Sequence, residues 1–251
     1  MNQTRRQLLT GMSIAGAGAL LVACNAGSSA RNEETKKEEA SLDSNDEQEG
    51  KAVTATEDLM REHGVLRRAL LVYQESAIKL KENAASVAPA ALEKTAQLFR
   101  AFGEEYHEKK LEEAYIFPAV KKAQRPAAIY ADVLLVQHAR GREITDYILS
   151  VTAAEKIATG GVAAFVNALE SFVRMYEHHA AIEDTIVFPA WKATMGDKEL
   201  DDIGEKFEQI EQQQFGADGF EDAVKRMAEI EESLGLANLG MFTAPPPPTH
   251  G

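Results

Sequence analysis

Two parts of this chain repeat one another. Glu62-His63 followed by Arg67 recurs as Gln137-His138 followed by Arg142, 75 residues further on. The block from Tyr106-His107-Glu108 to Ile116-Phe117-Pro118-Ala119 recurs as Glu177-His178-His179 to Val187-Phe188-Pro189-Ala190, with Phe117 and Phe188 71 residues apart. Around the first motif, Leu59, His63, Leu66, Leu70, Tyr73, Ala77 and Leu80 recur at alternating steps of three and four. That is the core-facing stripe of an amphipathic helix. Two helical hairpins of one type would pack about a pseudo-twofold axis, and such an axis brings paired residues to a shared centre.

The breaks between periodic stretches give the rest of the fold. A first helix starts near Thr54, where Thr54 and Glu57 have capping-box spacing, and its stripe breaks near Val87-Ala88-Pro89. The second runs from about Ala90 to Gln124, closed by Arg125-Pro126, and the third from about Ala127 to Ile157, closed by Gly160-Gly161. A fourth covers about Val162 to Thr194, ended by Met195-Gly196-Asp197. Long helices with short breaks predict an all-α, up-down-up-down antiparallel four-helix bundle over residues 53–196. Two acidic amphipathic helices over 197–235, separated by Phe215–Gly219, form a C-terminal extension, with Pro245–Pro248 in a disordered or extended tail over 236–251.

Residues 1–24 read as an export leader. Arg5-Arg6 supplies a twin-arginine n-region, and the apolar run Met12–Ala23 is shorter than the about 20 residues a spanning helix needs. Leu21-Val22-Ala23-Cys24 resembles a bacterial lipobox, which makes Cys24 the lipidation site of an exported, membrane-anchored cell-envelope lipoprotein. The alternative is an uncleaved helix end with a buried cysteine. Residues 25–52 are polar and aperiodic, a solvated tether. Cys24 is the sole cysteine, which excludes an internal disulfide and a thiolate metal site. A formal charge of -13 argues against nucleic-acid binding.

Five of the six histidines (His63, His107, His138, His178, His179) fall in the repeat, while His250 lies in the tail. His63, His138 and His179 share stripes with apolar residues, and Glu183 stands one turn after His179, so the two can point at one spot. Burying that many ionisable groups unpaired would cost several kcal/mol each, and a metal ion removes that cost. Imidazole with carboxylate and no thiolate favours iron over manganese or zinc.

These motifs resemble the hemerythrin-like (HHE cation-binding) domains. The resemblance is carried by Arg61-Glu62-His63, His107-Glu108…Glu112-Glu113…Phe117-Pro118, Gln137-His138 and His178-His179…Glu183-Asp184…Phe188-Pro189, over about residues 55–192. It implies a four-helix bundle with a non-haem di-iron site, oxygen or nitric oxide chemistry in some members and iron sensing in others. By position, His63, His107, His138 and His179 match the family's histidine ligands, and Glu112 and Glu183 its bridging carboxylates.

The second helix departs from the pattern. Aligning the Phe-Pro pairs sets Glu108 opposite His179 and His107 opposite His178. His107 and Glu112 are five apart, off a single α-helical face, whereas Glu108 and Glu112 are four apart. Glu108 is therefore a further candidate ligand, in a site richer in carboxylate than that of the oxygen carriers. His178 is expected to orient a ligand; Asp184 and Glu113 either do the same or are solvated helix charges. Arg67 and Arg142 are expected to pair with acids, and Phe117, Phe188 and Trp191 to pack the bundle's end or line a gas pocket. Two other readings stay open: a di-iron oxidase, for which Glu104-x-x-His107 has the spacing, and a metal-free interaction module.

Overall fold

The computed structural model describes residues 53–124 and 126–248. The export leader, Cys24, the tether over 25–52 and His250 lie outside the described residues. Thr54 caps helix α1 (Ala55–Glu82) with the expected box: Thr54 Oγ1 accepts from the Glu57 amide at 3.3 Å, and Glu57 Oε2 accepts from the Thr54 amide at 2.8 Å. Helix α2 is one rod in three segments, Pro89–Leu98, Phe99–Ile116 and Phe117–Lys122. Helix α3 covers Ala128–Thr152. Helix α4 is a second segmented rod, Val162–Ile182, Glu183–Val187 and Phe188–Lys192. No helix among the described residues is long and apolar enough to cross a membrane.

The middle segments of α2 and α4 are π-helical. Each ends at a Phe-Pro pair, where the amide of Phe117 reaches the Glu112 carbonyl and that of Phe188 the Glu183 carbonyl, five residues back. A proline within a helix lacks an amide and crowds the preceding turn, so a widened turn before Pro118 and Pro189 relieves both problems.

The third helix stops five residues short of the expected Ile157. Ser150 and Thr152 turn their hydroxyls back onto the carbonyls of Tyr147 at 2.7 Å and Ile148 at 2.8 Å, an alternative to continued helix bonding. Ile157 still tucks into the core from the following turn.

Helix α1 packs along α4, and α2 along α3, with α1–α2 and α3–α4 contacts closing the bundle. Its core is a column of buried Leu, Phe and Tyr, including Leu59, Tyr73, Phe99, Phe165 and Phe172. The acidic extension, α5 (Asp197–Phe215) and α6 (Gly219–Ser233), docks on the outer face of α1 and α2. Gly216 turns the chain between them at φ 71°, a left-handed conformation that favours glycine. Trp191 stacks on Phe207, Tyr106 meets Phe215 edge-on, and Arg68 forks onto both oxygens of Glu231 at 2.8 and 2.6 Å. Order continues beyond residue 235, where the tail was expected to begin: Leu236 is buried and Leu239–Phe242 forms a 3-10 turn.

Candidate metal centre

The segmented rods decide which face of α2 points inward. Five residues advance about 140° beyond a full turn at 100° per residue, but close roughly one turn when hydrogen bonds run i to i+5. His107 and Glu112 lie in the π segment and therefore share a face. His179 and Glu183, four apart, straddle the α-to-π junction and also share a face. The two halves thus present a histidine and a glutamate each, despite their unequal spacing.

Four imidazoles and two carboxylates meet in the core. His63 and His107 bring their Nε2 atoms to 3.0 Å, and His138 and His179 bring theirs to 3.1 Å. Glu112 lies between the pairs, with Oε1 3.4 Å from His107 Nε2 and Oε2 3.4 Å from His138 Nε2. Glu183 lies between them from the other side, with Oε2 3.5 Å from His63 Nε2 and 3.1 Å from His179 Nε2. All six residues are buried. Both oxygens of Glu112 and both of Glu183 lack a hydrogen-bond partner of ordinary geometry among the described residues. Four such carboxylate oxygens in an apolar core are costly to leave unpaired, and a cation answers them.

Every outward ring nitrogen is tied down. His63 Nδ1 meets Asp184 at 2.7 Å, His107 Nδ1 meets Glu62 at 2.7 Å, His138 Nδ1 meets Glu113 at 2.9 Å, and His179 Nδ1 meets the Gln137 side-chain oxygen at 2.9 Å. These oxygens accept, so each Nδ1 donates, which leaves Nε2 as the inward nitrogen and, in the neutral ring, turns its lone pair to the centre. Arg67 holds Asp184 at 2.5 Å and Arg142 holds Glu113 at 2.5 Å, as the repeat requires. Phe188 stacks on His63 and Phe117 on His138, with ring centroids 5.4 Å apart in both cases.

Asp184 and Glu113 thus take the orienting role, not that of solvated charges. His178 does not: its side chain is exposed, because it stands about 100° around α4 from His179, and Gln137 orients His179 instead. Glu108 does not reach the central cluster. The π register that turns His107 inward carries Glu108 aside, where it accepts from Tyr176 Oη at 2.7 Å and Arg142 at 3.1 Å. Its nearest approach to His138 is 3.9 Å, on the outward nitrogen. Glu104, the other half of the Glu-x-x-His spacing, is held by Thr145 at 2.5 Å and Arg100 at 2.6 Å. Glu62 and Gln137 went unassigned in the sequence, although each immediately precedes a histidine of the repeated motif.

Burial and charge divide the protons unevenly in the metal-free cluster. Burial, then the charge of Glu112, pushes Glu183 well above the usual carboxylate range. Burial also acts to raise Glu112, but the neighbouring His107 and His138 outweigh it and hold Glu112 well below. For His107, burial is overcome by Glu112 and Glu62, and the imidazole titrates well above its ordinary value. His138, against its burial, is pushed up to about 10 by Glu108, Glu112 and Glu113. His179 is pushed down to about 3 by burial and the charge of His138. Burial raises Glu104 to about 7. Without metal, protons are thus drawn towards His107, His138 and Glu183 and away from Glu112 and His179.

The comparisons with known proteins agree with this geometry. The model of the hemerythrin HHE cation-binding domain matches residues 54–191. The uncharacterized protein Rv1995 of Mycobacterium tuberculosis and the uncharacterized protein Mb2018 of Mycobacterium bovis are each 44% identical to this chain over 192 residues, which is 76% of this chain and 74% of each relative. No solved structure matches. On the extent of the domain match, the chain belongs to the hemerythrin HHE cation-binding domain family.

Proposed function

We propose that the bundle holds a non-haem di-iron centre that binds a small diatomic ligand such as oxygen or nitric oxide, or serves to bind or sense iron. One observation carries this reading: Glu112 and Glu183 each lie between two imidazole pairs, His63 with His107 and His138 with His179. Each pair with the two carboxylates makes a set of nitrogen and oxygen donors without thiolate, which suits iron. When bound, the irons would supply an open coordination position and a store of electrons. The protein's own part is to hold each Nε2 lone pair inward, to keep water out with Phe117 and Phe188, and to fix the imidazoles through Asp184, Glu62, Glu113 and Gln137.

Iron measured on purified protein tests the reading. Two irons per chain with near-ultraviolet oxo-bridge absorption are expected, and a colourless, iron-free protein whose melting is unmoved by added iron would end it. His63→Ala should remove most of the metal, whereas Asp184→Ala, which loses only an orienting partner, should weaken binding by about 10- to 100-fold. Equal and negligible losses in both would place the site elsewhere.

The chain is further proposed to work outside the cytoplasm, anchored by a lipid on Cys24. Support comes from the coincidence of the arginine pair, the apolar run and the cysteine that ends it. Expressed in a lipoprotein-processing bacterium, the parent should partition with membranes and Cys24→Ser should not. Identical partitioning of the two would refute the anchor.

A further inference from the structure

A pocket lies beside the central cluster. It borders His63, His107 and His179, but among the described residues His138 is not part of its wall. Leu66, Leu70, Phe99 and Ala180 give it a buried apolar side, and Glu108, Glu112, Glu183 and Tyr176 line it as well. The one lining residue that reaches solvent is Arg67, whose side chain is 43% exposed. It is latched by Nη2 to Asp184 Oδ2 at 2.5 Å, and the other oxygen of Asp184 binds His63 Nδ1 at 2.7 Å.

The repeat supplies an internal contrast. Leu66 corresponds to Gly141 and Arg67 to Arg142, each 75 residues apart. At Gly141 the space is taken by Tyr176, whose Oη would lie 1.9 Å from a Cβ built there. That hydroxyl is bound to Glu108, which Arg142 clamps in turn. Tyr176 and Glu108 thereby fill the space at Gly141 and also line the pocket, in which Arg67 is the exposed residue.

We propose that small ligands reach the centre through this pocket, and that its door is the side chain of Arg67. This rests on the metal-centre reading for the identity of what the ligand meets, but the door itself is a property of the chain. An ion pair with a partly exposed partner is weakened by solvent screening, so unlatching Arg67 from Asp184 is thermally accessible. Exposed side chains change rotamer in picoseconds to nanoseconds, and the packed Leu and Phe walls offer no comparable movement. A door lowers or raises the barrier to entry and exit alike, so opening it permanently changes rates and leaves the equilibrium nearly where it was.

The test uses the full chain loaded with iron and azide as the probe, followed by stopped-flow absorbance. Arg67→Ala and Arg67→Met should raise both the association and dissociation rates of azide by about tenfold, with Kd moving less than about threefold. Ala180→Leu, which fills the pocket without touching a ligand group, should slow both rates. Unchanged rates in both Arg67 variants would overturn the door, as would acceleration found in Arg142→Ala and absent from Arg67→Ala. A shift in affinity carried by dissociation alone would make Arg67 a ligand contact and also overturn it. In the metal-free protein, modification of His63 by diethyl pyrocarbonate, located by mass spectrometry, should accelerate in both Arg67 variants. A wild-type chain that takes up no metal sinks the centre reading, and the door is then judged on these modification rates.

Discussion

Replacing Glu183 by leucine is expected to raise the melting temperature of the metal-free protein while destroying its metal binding. Glu183 is fully buried, its oxygens lack hydrogen-bond donors, and burial with the adjacent Glu112 charge pushes its pKa well up. An apolar side chain of similar size removes that cost, about 1 to 3 kcal/mol for a buried group left without a partner. At about 2 to 4 °C per kcal/mol for a domain of this size, a rise of several degrees follows. The same change removes the carboxylate that faces both His63 and His179, so metal affinity should fall by about 100-fold or more. A lower melting temperature without metal, or undiminished metal uptake, would show that Glu183 is a structural residue.

The pH dependence of the parent follows from the same groups. His107 and His138 have folded pKa values above their ordinary one, so the stability they contribute is full below that value and is lost as pH rises through the folded value. For His138 the window runs from about 6.5 to about 10. Glu183, raised in the fold, also costs stability as pH climbs. Glu112, lowered in the fold, acts in the opposite sense, and its contribution is lost as pH falls through its folded value. The metal-free protein should therefore melt at progressively lower temperature above neutrality. Metal competes with the protons drawn towards His107, His138 and Glu183, so its binding should tighten with pH and the gap between loaded and metal-free melting should widen. Proton release on metal addition, measured in weakly buffered solution, checks this.

Gly141→Ala is expected to be the most damaging single methyl group in the bundle. A Cβ there would lie 1.9 Å from Tyr176 Oη and 2.7 Å from its Cζ. Tyr176 is buried, packed on Phe99 and Phe172, and bound to Glu108, so its ring has nowhere to retreat. Overpacking of this kind costs about 1 to 3 kcal/mol or more, and the broken Tyr176–Glu108 bond adds to it. A drop in melting temperature of about 10 °C should result. Removing the hydroxyl with Tyr176→Phe should recover part of the loss, so the double variant should fall by less than the sum of the two singles. Strict additivity would mean that the glycine is not there for the tyrosine.

Much of this arrangement was legible before any coordinates. Helix boundaries followed from capping and from proline and glycine because these act locally, on a turn or two of chain. The stripe containing His63 and the i, i+4 pair His179 and Glu183 were readable because an α-helix has a fixed period. The second helix was not, because its hydrogen-bond register changes at Phe99 and a 100° wheel misplaces everything after it. That is why Glu108 looked like a ligand and why His107 looked displaced. The outward partners divide in the same way. Asp184 and Glu113 could be named as candidates because each follows a glutamate of the central cluster, but whether they faced a histidine or water depended on the neighbouring helix.

The amino-acid order alone determined that this chain makes four long helices in two related hairpins, with histidines and carboxylates on their buried stripes. Periodicity and repetition are properties of the chain itself, so they needed no partner to be seen. Only the tertiary structure decided that Glu62 orients His107, that His178 faces solvent, that the acidic extension lies on α1 and α2, and that Tyr176 fills the space at Gly141 while Arg67 is the exposed residue of the pocket. Those outcomes depend on the rotation of one helix against another, and rotation is set by packing between residues distant in the chain.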